Sequence, residues 1–236
     1  MAGTYVGRKN TTRASAGSGL AAATNLAEEV RSVPWLMQAG FEGKVFIAGH
    51  GLEEAATDGI ITTLDDTTPT FMLMAPASGT IIIPIWGEIR IMTEGGAAPD
   101  AYLSYVGVDR SSAPAYTALA ALQINGASAS PAAIVGKTIT TVTAITSAQN
   151  VLLARRSAMV DNMISVEGLT TLPSAGTMER NSLGLEYNFW NKFGGALQLY
   201  AGRSVMFHTK TATTVSAYGC TFVWAEVPSA TYDHIA

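Results

Sequence analysis

The side chains most able to perform acid–base or metal chemistry are three histidines: His50, His208 and His234. His50 lies in a Gly-His-Gly run followed by Glu53 and Glu54, so a metal ligand or a general base is one hypothesis for it. An ordinary loop histidine is the other. His208 lies in a strand-like run, where a structural role is usual. The sequence has no His-Glu-x-x-His motif and no second histidine at helical spacing.

Two further patterns resemble sites and fail on spacing. Gly136-Lys137-Thr138 matches the last three positions of G-x-x-x-x-G-K-[ST], but the first glycine of that motif would fall at Pro131. The adjacent carboxylates Asp65 and Asp66 would point to opposite faces of a strand, so they do not form a hydrolytic pair by themselves. A solvated turn is the expectation there. No Gly-x-Ser-x-Gly nucleophile elbow occurs.

Cys220 is the single cysteine, so the sequence allows no intrachain disulfide and no thiolate metal cluster. We expect it to be a small buried residue of a strand. Taken together, these patterns predict no catalytic, cofactor-binding or metal-binding residues. The chain is therefore predicted to be non-enzymatic and to need no cofactor.

The composition is poor in charge. Charged residues make up 14% of the 236 residues, against about 25% in an average soluble domain. A membrane or neighbouring subunits could cover the surface that charges normally occupy. The most apolar run, 80–92, is interrupted by Pro84, Glu88 and Arg90, and a spanning helix needs about 20 apolar residues. We therefore expect no transmembrane segment and extensive contact between copies of the chain.

The net charge of −4 argues against nucleic-acid binding by the folded body, because phosphate contacts need a basic surface. Residues 1–19 differ from the body: they are rich in small residues and contain Arg8, Lys9 and Arg13 but no acid. This composition predicts a flexible arm that contacts neighbouring subunits or, weakly, a packaged genome. No apolar segment follows these basic residues, so they do not indicate a secretory signal, and we expect assembly in the cytoplasm of the host.

The elements that must carry these residues are mostly strands. The predicted organisation is an arm with a short helix (1–37), the helix covering 20–31, followed by one β-sandwich domain (38–236). The segment 111–137 is predicted to be a long connection that makes contacts, with a short helix at 116–122. The predicted strands are 44–48, 71–74, 85–92, 101–108, 138–145, 151–153, 183–190, 196–200, 204–209 and 219–227.

Alternation assigns faces to two of these strands. In 204–209, Val205 and Phe207 should lie on one face and Met206 and His208 on the other. In 85–92, the alternation predicts that Ile85 and Ile89 share one face and that Glu88 lies on the opposite one. Short strands of this kind with Gly and Pro turns are typical of an all-β sandwich or jelly roll.

The C-terminal hairpins resemble a known family. The run 194–205, Gly-Gly-Ala-Leu-Gln-Leu-Tyr-Ala-Gly-Arg-Ser-Val, is similar to the strand, tight glycine turn and second strand near the end of single jelly-roll virion proteins, and 221–226 is similar to their last aromatic strand. The basic arm is also similar. The resemblance covers about the last 50 residues and the arm. It implies an all-β, jelly-roll fold and a capsid or cement role in a bacterial virus, and it carries no catalytic residues.

Two functions are therefore expected. The first is a virion structural protein, a coat subunit that self-assembles into the viral shell together with other virion proteins. The second is a trimeric β-sandwich head that binds a receptor or carbohydrate, in which Trp86 and Trp190 could stack on sugar rings. A β-sandwich enzyme using His50 is a third and weaker hypothesis.

Overall fold

The computed structural model describes residues 23–24, 30–31, 35–51, 57–58, 67–93, 100–110, 114–126, 130–142, 149–157, 184–210 and 217–229. The structural statements below concern these residues. They form fourteen strands and two short helices. In chain order these are β1 (Ala23–Thr24), β2 (Val30–Arg31), α1 (Trp35–Phe41), β3 (Val45–His50), β4 (Thr57–Asp58), β5 (Phe71–Met74), β6 (Thr80–Thr93), β7 (Asp100–Val106), β8 (Ala115–Ala118), β9 (Ala121–Gln123), β10 (Ile134–Thr141), β11 (Asn150–Ser157), β12 (Gly184–Asn188), α2 (Phe189–Phe193), β13 (Ser204–Lys210) and β14 (Ala217–Pro228).

The strands build two large antiparallel sheets that pack face to face. Sheet I has the order β11-β7-β13-β5-β10-β8, and sheet II has the order β12-β6-β14-β3-β9, with β4 also paired to β14. Aromatic side chains of both sheets meet between them: the Phe207 and Phe222 ring centroids lie 5.3 Å apart. The predicted all-β sandwich is thus confirmed.

Eight of the strands pair in a nested order. Counting outward from the middle of the chain, β7 pairs with β11, β6 with β12, β5 with β13, and β3 with β14. Along the chain these eight strands alternate between the two sheets, except at β7 and β11, which both belong to sheet I. The chain therefore follows the path of one long hairpin rolled into a sandwich. Strands β8, β9 and β10 form an insertion between the two middle strands.

Local sequence explains where the second helix interrupts this pattern. The Asn188 side chain accepts a hydrogen bond from the Asn191 N–H at 2.8 Å, which caps the start of α2 directly after β12. Gly194 ends α2 in the left-handed conformation, at φ 57°. The predicted strand 183–190 is therefore shortened to β12, and of the predicted strand 196–200 the structure retains an isolated bridge between Leu199 and Ile82.

Both predicted helices are wrong at the described residues. Within 20–31, Ala23–Thr24 and Val30–Arg31 are antiparallel strands, and within 116–122 the chain forms parts of β8 and β9. The first observed helix, α1, starts directly after Pro34. A proline is tolerated there because the N–H groups at the start of a helix have no partner within the helix. Helix α1 also runs across the predicted domain boundary at 37–38, a division that stays a prediction.

A register shift overturns the face assignment in β6. Ile89 lies in the core between the sheets, whereas Ile85 packs on the outer face of sheet II. The pairing of β6 with β14 skips one residue at this point, from Val223 opposite Trp86 to Trp224 opposite Pro84. A bulge reverses the alternation, so residues on its two sides exchange faces. The assignment in β13 is confirmed, since Val205 and Phe207 lie in the core and Met206 on the opposite face.

Candidate functional site

The imidazole of His50, the leading catalytic candidate from the sequence, contacts the side chain of a lysine. The Lys137 Nζ lies 2.9 Å from His50 Nε2 and 3.3 Å from His50 Nδ1, so the two half-buried side chains connect β3 of sheet II to β10 of sheet I. An ammonium can only donate hydrogen bonds, so the imidazole accepts here. A cation at this position also disfavours metal binding by the same ring.

The Gly136-Lys137-Thr138 run lies inside strand β10, between β5 and β8. Gly136 is explained by packing: a Cβ atom at this position would collide with the ring of Tyr116 on β8. The glycine therefore lets the edge strand approach closely, and it does not line a phosphate-binding loop.

His208 also lies against a potential nucleophile. The Ser104 Oγ lies 3.2 Å from His208 Nε2, and both side chains are buried on neighbouring strands β7 and β13. A serine–histidine pair can support nucleophilic catalysis when substrate can reach the hydroxyl. Because both groups are buried, the contact acts as a structural hydrogen bond that satisfies polar groups inside the sheet.

Several candidate residues from the sequence lie outside the described part of the chain. Arg8, Lys9 and Arg13 of the predicted arm lie outside the described residues, as does His234. The same holds for the paired acids Glu53 and Glu54 and Asp65 and Asp66. Among the described residues, no group of three or more His, Cys, Asp or Glu side chains could hold a metal ion. No helix in the described part of the chain is long and apolar enough to cross a membrane.

Part of the outer face of sheet II is covered by the two helices. Ala39 of α1 packs with Ile81, Ile83 and other apolar side chains of β6 and β14. Trp35 of α1 stacks on Trp190 of α2 with ring centroids 5.5 Å apart and planes 8° from parallel. Trp35 therefore covers one face of the Trp190 ring, and a ligand ring could stack only on the other face.

The outer face of sheet I is buried around its central strands, β5 and β13. It carries a methionine-rich cluster of Met72, Met74 and Met206, all with no exposed surface, and Arg110 is also fully buried, with its Nη1 donating to the Met206 Sδ at 3.1 Å. Antiparallel sheets commonly expose one face to water. Here both sheets bury part of their outer faces, whereas Arg90 and Glu186 on the outer face of sheet II stay exposed. Several of the exposed apolar side chains lie on the edge strands.

Four exposed apolar side chains, which we call the β9 patch, are Met37 and Phe41 on α1 and Leu122 and Ile124 on β9 and in the turn after it. Phe41 is 73% exposed, Leu122 69%, and Ile124 54%. Strand β9 is the outermost strand of sheet II on this side. The sequence placed Leu122 in a contact-making segment, but as part of a helix.

Two hydrogen bonds connect β9 and the turn after it to the chain between α1 and β3. The Ile124 N–H donates to the Val45 carbonyl at 3.0 Å, and the Gln123 side chain donates to the Gly43 carbonyl at 2.6 Å, just after the end of α1. Leu122 pairs with Ile47, which by alternation lies on the same outer face as Val45 beneath α1.

Two further exposed apolar side chains lie on the outermost strand of sheet I. They are Val151 and Leu152, which are 52% and 57% exposed, and their pairing with Tyr105 and Ser104 places them on opposite faces of the strand. The pairing of β11 with β7 shifts register between Leu152 and Ala154, and both Leu153 and Ala154 pack against the core. An open edge strand with exposed apolar side chains is a typical surface for association.

No protein-family model, no curated protein and no solved structure shows significant similarity to this chain. Its function must therefore be inferred from its own geometry.

Sequence reasoning missed most of this surface. Phe41 and Ile124 show no pattern that distinguishes them from core residues, because exposure follows from the position of β9 at the sheet edge. Val151 and Leu152 belong to the predicted strand 151–153. A run of three apolar residues has no periodicity that would assign one of its faces to solvent.

Proposed function

We propose that this chain is a virion structural protein: a coat subunit that assembles with copies of itself into the shell of a bacterial virus. Its partners would be those copies and other virion proteins, its place the virion, and its site of assembly the host cytoplasm. The proposal assigns it no reaction and no cofactor.

The nested strand pairing supports a jelly-roll fold. A jelly roll consists of eight strands in two sheets, built from two Greek keys, and the fold occurs in viral capsid and lectin domains and in cupins. The pairs β3–β14, β5–β13, β6–β12 and β7–β11 match such a rolled hairpin. Fold alone does not fix function, so the choice among these classes depends on the surface.

The observation that carries the proposal is the location of the exposed apolar side chains. Parts of the outer faces of both sheets are buried within the chain, while Phe41 on α1, Leu122 on β9, and Val151 and Leu152 on β11 are each more than half exposed. A subunit with exposed apolar side chains on its edge strands is suited to contact neighbours laterally, as the units of a shell must. The low charge of the chain agrees with such contacts.

The proposal leaves a minor role for nucleic acid. The body carries a net negative charge, so binding to a packaged genome would involve Arg8, Lys9 and Arg13 of the arm, and three charges give a weak, salt-sensitive contact.

Electron-microscope images of negatively stained, purified protein test the proposal. We expect closed particles of uniform size. Isolated trimers together with binding on a glycan array would instead support the receptor- or carbohydrate-binding head. Isolated monomers in every field would contradict both.

A further inference from the structure

We infer that the contact between His50 and Lys137 is an acid-sensitive joint between the two sheets. Protonation of His50 places two positive charges against each other and loosens β10 of sheet I from β3 of sheet II. The inference goes beyond the proposed function and does not depend on it, because it concerns one contact within a single copy of the chain.

The two side chains face each other across the space between the sheets. His50 is the last residue of β3 and by alternation lies on the same face as Phe46 and Ala48, which belong to the core. Lys137 pairs with Phe71, another core residue, and its Nζ lies 2.9 Å from the His50 Nε2. The contact therefore links the sheets close to the side where β8 and β9 end them.

A bulge in β10 sets the direction of Lys137. Ile139, two residues further on, packs on the outer face of sheet I, so it lies on the face opposite to Lys137. Between them Thr138 has φ 49°, which is costly for a β-branched residue, and the pairing with β8 shifts register after Lys137. Backbone strain of this kind often marks functional positions. The strained residue allows the lysine to point inward while the strand continues with an apolar residue outside.

The contact requires a neutral imidazole. An ammonium has donors only, so His50 must offer a ring nitrogen that carries a lone pair. Protonated His50 has a donor at each ring nitrogen, so the hydrogen bond is lost and two positive charges lie 2.9 Å apart. Because both side chains are half-buried, solvent and salt screen this repulsion less than they screen an exposed pair. The folded chain therefore takes up a proton at His50 less readily than the unfolded chain.

The other titratable groups near His50 do not change charge in the same pH range. Cys220 lies directly opposite His50 on β14, and Tyr218 lies in the same core two residues away. A thiol and a phenol stay neutral below about pH 7, and burial raises the pKa of the Cys220 thiol further. Glu88 and Arg90 on β6 lie on the outer face of sheet II, since Ile89 between them faces the core.

The direction of the pH effect follows from these contacts. A histidine of the unfolded chain takes up its proton near about pH 6.5, whereas His50 of the folded chain resists protonation. Above that pH the joint contributes its full stability. Below it, stability is lost until His50 of the folded chain is protonated as well, and one proton changes the unfolding equilibrium constant by at most about tenfold per pH unit.

Urea unfolding of dilute, dissociated protein between about pH 5 and pH 8 tests the inference. Relative to His50→Gln, whose amide oxygen accepts from Lys137 at every pH, the unfolding constant of the wild type should rise by up to about tenfold per pH unit below about pH 6.5. Lys137→Met should remove this pH-dependence too. The control is Lys44→Met, which removes an equal charge paired with Glu42 and should keep the wild-type profile.

Nuclear magnetic resonance adds two local readouts. The imidazole of His50 should titrate at a lower pH in the wild type than in Lys137→Met. The Thr138 N–H donates to the Thr70 carbonyl at 3.1 Å. Its protection against hydrogen exchange, corrected for the intrinsic rate, should fall on acidification in the wild type and not in His50→Gln.

Parallel unfolding profiles of the wild type and His50→Gln would overturn the inference, and so would an unchanged titration of His50 in Lys137→Met. Glu53→Gln/Glu54→Gln neutralises the two acids that follow β3 in the sequence and should keep the wild-type profile. Loss of the pH-dependence in that variant, or in Lys44→Met, would assign it to those acids or to net charge and would contradict the joint.

Discussion

Cys220 lies in the core between the sheets, where burial raises the pKa of its thiol well above the ordinary value of 9.0. The nearby Glu88 carboxylate raises this pKa further, and Arg90 lowers it. The folded chain therefore keeps the thiol proton at pH values where the unfolded chain releases it. Below the thiol pKa of the unfolded chain, Cys220 therefore has no effect on the free energy of unfolding. As the pH rises from that value toward the thiol pKa of the folded chain, Cys220 lowers the free energy of unfolding.

We expect the free energy of unfolding of the wild type to fall more steeply above about pH 9 than that of Cys220→Ala, by at most about 1.4 kcal/mol per pH unit. Urea unfolding of both proteins between about pH 8 and pH 10 measures the difference. Parallel pH profiles would show that the buried thiol is not the cause.

Two phenylalanines provide a matched comparison of core and edge. Phe207 has no exposed surface and lies against Phe222, whereas Phe41 is mostly exposed. In dilute, dissociated protein, Phe207→Ala should lower the free energy of unfolding by about 3–5 kcal/mol through the cavity it leaves. Phe41→Ala should change it by less than about 0.5 kcal/mol. Similar losses in the two variants would contradict the assignment of Phe41 to an exposed edge.

At the scale of elements, one carboxylate fixes the chain segment that leads into β10. Glu226 on β14 accepts hydrogen bonds from the Ala132 N–H at 2.9 Å and the Ala133 N–H at 3.0 Å, and from the Trp224 indole N–H at 3.0 Å. Three donors converge on one side chain, which fixes the chain just before it enters β10 and so positions the insertion that carries β8 and β9.

Glu226→Gln turns one acceptor into a donor, so at least one of these bonds is lost. The expected cost is about 1–2 kcal/mol of unfolding free energy, with faster amide hydrogen exchange at Ala132 and Ala133. Glu88→Gln is the control: it removes a carboxylate 3.5 Å from the exposed Arg90, a pair worth about 0–1 kcal/mol. Unchanged amide hydrogen exchange at Ala132 and Ala133 in Glu226→Gln would rule out this role of Glu226.

Strands that alternate or are continuously apolar could be predicted from sequence, and helices could not. The bounds of β5 and β13 were predicted to within one residue, because β5 is a continuous apolar run and the side chains of β13 alternate between its two faces. The 20–31 and 116–122 segments have helical composition, but at the described residues strand pairing overrides it. The bulge that separates Ile85 from Ile89 depends on the partner strand, which local sequence does not contain.

For the whole molecule, the low charge of the chain has an internal cause besides the proposed subunit contacts. The sequence suggested subunit contacts alone. The structure adds internal cover: α1 and α2 shield part of the outer face of sheet II, and the outer face of sheet I is buried around its methionine cluster. Among the described residues, the most exposed apolar side chains lie on α1, on β9 and the turn after it, and on β11.

The mass of the purified wild-type chain as a function of concentration tests self-assembly most directly. Each copy has a mass of 24.6 kDa. Light scattering should report a mass many times this value, rising with concentration and persisting at high salt, because apolar contacts are not screened by ions. A single 24.6 kDa species at every concentration and salt condition would contradict the account.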